Sequence, residues 1–360
     1  MRKPVIDVSG AVWVAECGAC IGVIAALLTR LGNPIDGGIS VACFARDIAG
    51  ALGFHQIIEF SYLRPELIGI VLGAFGAAGI KRDVHPAGGS SPLLRFFMGF
   101  IVSLAIFVFI GCPLRLGLRL AGGDPAAVSA LAGLVCGVWG ATVLLKRGFN
   151  PGRSRDVPRV NVLVVPVLVF LLLVILVSDI SPVLVGSRRH VGVPIALGAG
   201  IVVGVFAQHT KFCTIAGLRN ALLVGDITLL TGFLGLILAA FVANVLLGQF
   251  HPGTTLIGSS LPLWNFLSMG CAGLGLTLLG GCPLRLVVLA AQGNTDSAVA
   301  VLGMTAGAAF AYNFNTAFIA GDIETAGKIV VIGGIVFFCV IGYTTGRREW
   351  RVGKGSRKSE

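Results

Sequence analysis

The hexapeptide Gly-Cys-Pro-Leu-Arg-Leu occurs twice, at residues 111–116 and 281–286. In each copy the glycine permits a tight turn, and proline, which has no N–H to lose, favours the first position of a helix. A helix is therefore expected to begin at Pro113 and again at Pro283, leaving Cys112 and Cys282 as N-caps. Such ends present unpaired amides and the positive end of the helix dipole, an arrangement that receives anions. Arg115 and Arg285 lie one turn inside and add a fixed cation. With Gly111 and Gly281 closing the turn, the motif reads as an anion-accepting corner that offers a sulfur atom.

The two copies are 170 residues apart, and the same shift carries Cys43 to Cys213. Both cysteine pairs thus have a spacing of 69. The register also matches Pro92 with Pro262, Phe96 with Phe266, Gly123 with Gly293, Asp124 with Asn294, Gly133 with Gly303 and Gly137 with Gly307. This is an internal repeat, which orders the rest of the reading. Four repeat-matched thiols suggest passage of a species with a terminal sulfur or selenium, because a soft, weakly donating group suits it better than a hydroxyl or amide. Passage by S–H contact requires protonated thiols, since a thiolate repels an anion.

The remaining reactive residues carry less. Cys136, Cys271 and Cys339 are expected to be small buried hydrophobes. Cys17 and Cys20 form a C-x-x-C whose two thiols would share a helix face, as packing or as a redox pair. His55, His85, His190, His209 and His251 do not approach cysteines at metal-ligand spacing, so no metal or cofactor is expected. His209 and Lys211 are candidates for a vestibule beside Cys213. Arg46 and Arg219 are basic neighbours of the outer and inner cysteines, and Arg115 and Arg285 have an alternative role as partners of Asp124 or Asp296. No phosphate-binding loop occurs, which argues against ATP coupling within the chain, and no catalytic set points to an enzyme.

The elements that must hold these residues follow from composition. Of 360 residues, 56% are hydrophobic and 12% charged, with a mean hydropathy of +0.94. Charged residues make up about a quarter of an ordinary soluble domain, so a soluble globule is excluded. A hydrocarbon core of roughly 30 Å takes about 20 apolar residues as helix. Ten runs qualify as spans: residues 11–28, 65–80, 93–110, 126–145, 160–177, 193–207, 227–247, 263–279, 298–319 and 328–343. Two stretches between them, 32–54 and 208–226, are apolar but interrupted, and each carries one central cysteine. They are read as re-entrant or broken helices, which survive only where protein or a water-filled cavity covers the backbone.

The expected fold is all-α and integral to the membrane. The first repeat covers residues 1–180 and the second 181–345, each with five spans and one re-entrant segment, followed by a basic tail at 346–360. Because five is odd, the second copy enters the membrane from the opposite side. Inverted repeats of this kind build transporters whose sites lie near the midplane on discontinuous helices. The net charge of +11 is concentrated in Arg2 and Lys3, in Lys81, Arg82 and Arg95, in residues 146–159 and in the tail. That distribution predicts both termini on the cytoplasmic side of the membrane and offers no reason to invoke nucleic acid. Arg188 and Arg189 run against it. The segment MRKP plus an apolar run imitates a signal peptide but contains Glu16, and is read as the first span.

The two GCPLR turns, the segments ACFARD and FCTIAGLRN and the ten-span length resemble the YeeE/YedE membrane family, in particular its YedE-type selenium transporters. Relatives of the YeeE type are thiosulfate importers of hourglass shape that pass the ion by S–H contacts. Carried over, the resemblance implies that role for Cys43, Cys112, Cys213 and Cys282, and implies a selenium compound first and a thiosulfate-like ion next. The expected partners are this small anion and the lipid bilayer. Two rival readings stand: a membrane thiol-redox relay, and an adaptor whose basic tail recruits a cytosolic sulfur- or selenium-transfer protein.

Overall fold

The structure is a computed structural model that describes residues 8–33, 38–84, 86–150, 152, 155–178, 190–255, 261–318 and 324–356. Arg2, Lys3, His85, Arg188, Arg189 and the last residues of the basic tail lie outside them. Each of the ten apolar runs forms a helix: α1 (Val8–Leu31), α3 (Pro65–Lys81), α4 (Pro92–Phe109), α6 (Ala126–Lys146), α7 (Asn161–Val177), α8 (Val193–His209), α10 (Thr228–Leu246), α11 (Pro262–Leu279), α13 (Thr295–Asn313) and α14 (Thr325–Ser356). Among the described residues four short α-helices stand between them, α2 (Val41–Ala51), α5 (Pro113–Ala121), α9 (Thr214–Val224) and α12 (Pro283–Ala291), with a single 3-10 turn at Ile58–Phe60. A two-residue antiparallel pairing, β1 (Ala87–Gly88) with β2 (Arg155–Asp156), ties two loops.

The chain is an all-α protein of membrane type, with 8 helical stretches among the described residues long and apolar enough to cross a bilayer. Three of these run through a broken pair, α4 with α5, α8 with α9 and α11 with α12. Helix α7 is shorter, and the Gly-, Ala- and Thr-rich α13 is not among the eight. The outer surface suits lipid. Along α7, Leu163, Val164, Val167, Leu168, Phe170 and Leu171 are all exposed, a patch that a water-soluble monomer would not leave bare.

Packing is built on four close helix pairs: α1 with α10, α3 with α8, α4 with α13, and α6 with α11. Small residues set these distances, because lipid supplies no hydrophobic force between helices and close van der Waals contact must replace it. A methyl group at Gly133 of α6 would fall 2.0 Å from the Phe266 carbonyl oxygen of α11, and one at Gly303 of α13 would fall 2.1 Å from that of Phe96 in α4. The repeat-matched glycines thus pack on the repeat-matched phenylalanines, each across to the opposite half. Helices α4 and α11 also touch each other at the centre.

One pair departs from the repeat. The shift of 170 lays the fifth apolar run on the tenth, yet α7 packs on α3 and α12, whereas α14 packs on α4, α6 and α11. Side-chain size differs between the two. Helix α14 approaches through Gly334 against Cys271 and Gly342 against Leu144, while α7 has no glycine and Pro166 in its interior.

The crossings yield a test. Gly133→Ala and Gly303→Ala are each expected to lower stability by about 1–3 kcal/mol through overpacking. Gly76→Ala, on an open face with nothing within 4 Å, should cost nothing. Thermal unfolding in detergent, followed by loss of the monodisperse peak, compares the three.

Candidate functional site

The two GCPLR turns start helices as their sequence demands. Cys112 caps α5 with φ −72° and ψ 167°, Cys282 caps α12 with φ −71° and ψ 163°, and Pro113 and Pro283 hold the first helical positions. The glycines act differently from the expectation. The left-handed residue in each corner is the one before, Ile110 (φ 57°) in the first and Gly280 (φ 98°) in the second. Gly111 and Gly281 sit in close quarters instead: a methyl group at Gly281 would fall 3.2 Å from Cγ of Arg285, and one at Gly111 would fall 3.3 Å from the Phe109 ring.

Each corner meets the short helix of its own half. In the first, the Ser40 hydroxyl at the N-cap of α2 donates to Sγ of Cys43 at 3.1 Å and to Sγ of Cys112 at 3.6 Å. In the second, Cys213 is the N-cap of α9, and its sulfur accepts from the amides of Ala216 at 3.3 Å and Cys282 at 3.2 Å. All four sulfurs are buried, with at most 2% exposure. The short helices of the two halves also touch crosswise, α2 with α12 and α5 with α9. Sulfur-bearing helix starts therefore gather in the interior in two clusters, one per half.

The repeat register shifts inside the short helices. Cys43 is the third residue of α2, while Cys213 precedes the first residue of α9. Ser40, not Cys43, holds the position of Cys213, and Cys43 corresponds to Ala216. The same shift aligns Arg46-Asp47 with Arg219-Asn220, which the spacing of 170 leaves three residues out of step. That mismatch was the signal by which the sequence could have revealed Ser40.

Arg115 is buried beside the first corner, and Arg285 is mostly buried beside the second, where it donates to Oε1 of Gln208 at 3.5 Å. The expected carboxylate partners are engaged elsewhere. Asp124 pairs with Arg119 at 2.7 Å, and Arg119 also donates to the Phe109 carbonyl at 2.6 Å. Asp296 accepts from the Gly89 amide at 3.2 Å and lies 3.9 Å from Arg95. Around Arg115 and Arg119 lies a cavity of about 340 Å3, also lined by Ala26, Arg30, Gly122 and His251. On the other side, Gln208 accepts from Gln292 and donates to Asp83, which pairs with Lys211. His209 turns away from the cysteines to Lys81, at 2.8 Å.

Arg46 is not turned toward the sulfurs either. Its guanidinium lies 2.6 Å from Asp47 and 3.0 Å from the Tyr312 hydroxyl, over the Phe60 ring. Asp47 accepts on its other oxygen from Arg64 at 2.5 Å, and Arg64 reaches His190 at 3.3 Å. Beside them Glu66 accepts from Asn33 at 2.6 Å. These side chains are buried and fasten α2 to its neighbours. Of the other cysteines, Cys271 is buried as expected, but Cys136 and Cys339 are exposed on the apolar surface. Cys17 is buried and Cys20 exposed, so the C-x-x-C does not present both thiols to one environment. Among the described residues no group of three or more His, Cys, Asp or Glu gathers as a metal site.

Removing one member of a buried pair leaves an uncompensated charge, which costs on the order of 3–5 kcal/mol. Asp47→Asn strands two guanidiniums and is expected to lose that much stability. Asp226→Asn, at a half-exposed cap on the Thr228 amide, should lose about 1 kcal/mol at most. Unfolding midpoints in detergent separate the two.

No curated protein matches the chain. Residues 209–336, from the end of α8 into α14 and including the Cys213 and Cys282 corner, match the family model described as sulphur transport, that of the YeeE/YedE family.

Proposed function

We propose that this multi-pass helical protein imports a small sulfur- or selenium-containing anion through a central path marked by Cys43, Cys112, Cys213 and Cys282. The observation that carries the reading is the Cys213–Cys282 corner, where two buried helix N-termini meet and a sulfur occupies the position at which their amides would receive an anion. Ser40, Cys43 and Cys112 form the counterpart. A terminal sulfur or selenium presented to these groups gains soft contacts from the thiols and positive potential from two helix ends and from Arg115 or Arg285. The family match supports a sulfur compound, and a selenium analogue shares the chemistry.

The crossed glycine contacts, Gly133 on Phe266 and Gly303 on Phe96, support two inverted halves at 1–180 and 181–345. The path between them would then lie near the midplane. In that orientation both termini are cytoplasmic in a bacterial inner membrane, the Cys112 cluster faces outward and the Cys282 cluster inward.

Flux of labelled thiosulfate, selenosulfate and sulfate into proteoliposomes tests the proposal. Thiosulfate or selenosulfate is expected to enter faster than sulfate. Cys112→Ser and Cys282→Ser should each reduce that flux roughly tenfold, the equivalent of about 1.4 kcal/mol at one contact. Unchanged flux in both variants, or equal passage of sulfate, overturns the thiol path.

A further inference from the structure

The two clusters are alike in their corners and unlike in what stands over them. Helices α1 and α8 occupy corresponding places: a methyl group at Gly22 would fall 2.4 Å from the Leu236 carbonyl oxygen of α10, and one at Gly204 would fall 2.3 Å from that of Ile70 in α3. Four residues further on stand Ala26 in α1 and Gln208 in α8. Helices α5 and α12 correspond residue for residue, and the residue after each is Gly122 (φ −83°) in the first and Gln292 (φ −91°) in the second. Both are followed by a left-handed glycine, Gly123 at 89° and Gly293 at 88°.

The substitutions act together. Where Ala26 and Gly122 leave side-chain volume unfilled, both line the cavity beside Arg115. Where Gln208 and Gln292 stand, they hydrogen-bond to each other, Gln208 reaches Arg285, and Asp83 with Lys211 closes over them. Both glutamines are 2% exposed. A shared backbone geometry thus gives an open vestibule on one side and a polar stopper on the other.

We infer that the Gln208–Gln292 pair is the closure of the path on the Arg285 side, and that Ala26 and Gly122 keep the Arg115 side open to the incoming anion. The pair rests over the cation that the anion must reach, and an anion binding Arg285 competes for the donor that Gln208 now accepts. The neutral Gln208–Gln292 bond is suited to this, because it is worth little net and can be exchanged for bonds to the ion. The inference rests on the cysteine path proposed above.

The test is site-resolved thiol modification in oriented membrane vesicles. The probe is the negatively charged, membrane-impermeant reagent 2-sulfonatoethyl methanethiosulfonate, read by peptide mass spectrometry at each cysteine. In the parent protein Cys112 or Cys43 should react from one face, with Cys213 and Cys282 protected from the other. The variant Gln208→Ala with Gln292→Gly should raise modification of Cys213 or Cys282 about tenfold, as expected when the Gln208–Gln292 bond and the bonds of Gln208 to Arg285 and Asp83 hold a closed state. Modification at Cys112 should not change. Unchanged protection of Cys213 and Cys282 in a monodisperse variant overturns the closure and leaves the path standing. Absence of reaction at all four cysteines, from either face and in both proteins, overturns the path and the closure with it. If the variant does not accumulate, the reciprocal change Ala26→Gln with Gly122→Gln decides. It should lower Cys112 modification about tenfold, and no decrease overturns the inference.

Discussion

A helix that begins inside a membrane brings unpaired amides to a place where no bulk water can satisfy them, and each such group left alone costs several kcal/mol. Among the described residues four short helices begin in the buried interior of the protein, at Ser40, Cys112, Cys213 and Cys282. Everything else in the architecture serves to make those starts tolerable. The short helices are surrounded by long ones, their N-termini face one another in pairs, and the caps are mostly sulfur. Sulfur is a weak acceptor. Cys213 accepts from two amides at 3.2–3.3 Å, whereas the side chains of Ser40, Cys112 and Cys282 make no cap bond to their own helices.

Holding broken helices in register requires a rigid frame, and the frame here is made from the smallest side chain. At Gly133 and Gly303 the partner backbone comes so close that no Cβ fits, and each contact joins one half to the other. Helices locked at this distance leave little room for sliding.

The buried charges show a second use of polar groups in the interior. Asp47 lies between Arg46 and Arg64, with Tyr312 and His190 completing their bonds. Placed one turn after Cys43 on α2, this network fixes the helix that carries the first cluster. Arginine at membrane depth usually marks a functional position. Here that rule separates into two cases, since Arg46 and Arg64 anchor a helix while Arg115 and Arg285 stand at the corners.

The sequence by itself determined the membrane character, the ten long helices, the two broken stretches and the helix starts at Cys112 and Cys282. These are local consequences: hydropathy is summed along the chain, and Gly-Cys-Pro sets a turn and a helix start within a few residues. It also exposed the repeat, because matched glycines and phenylalanines are needed wherever two halves pack alike. Tertiary structure alone decided that α7 and α14 leave the common plan, that Asp124 serves Arg119, and that Gln208 meets Gln292. Each of these depends on which side chains converge from distant segments, and burial turns a small difference in size or hydrogen bonding, such as glycine against glutamine, into the difference between a cavity and a closure. No property of either residue in isolation contains that outcome.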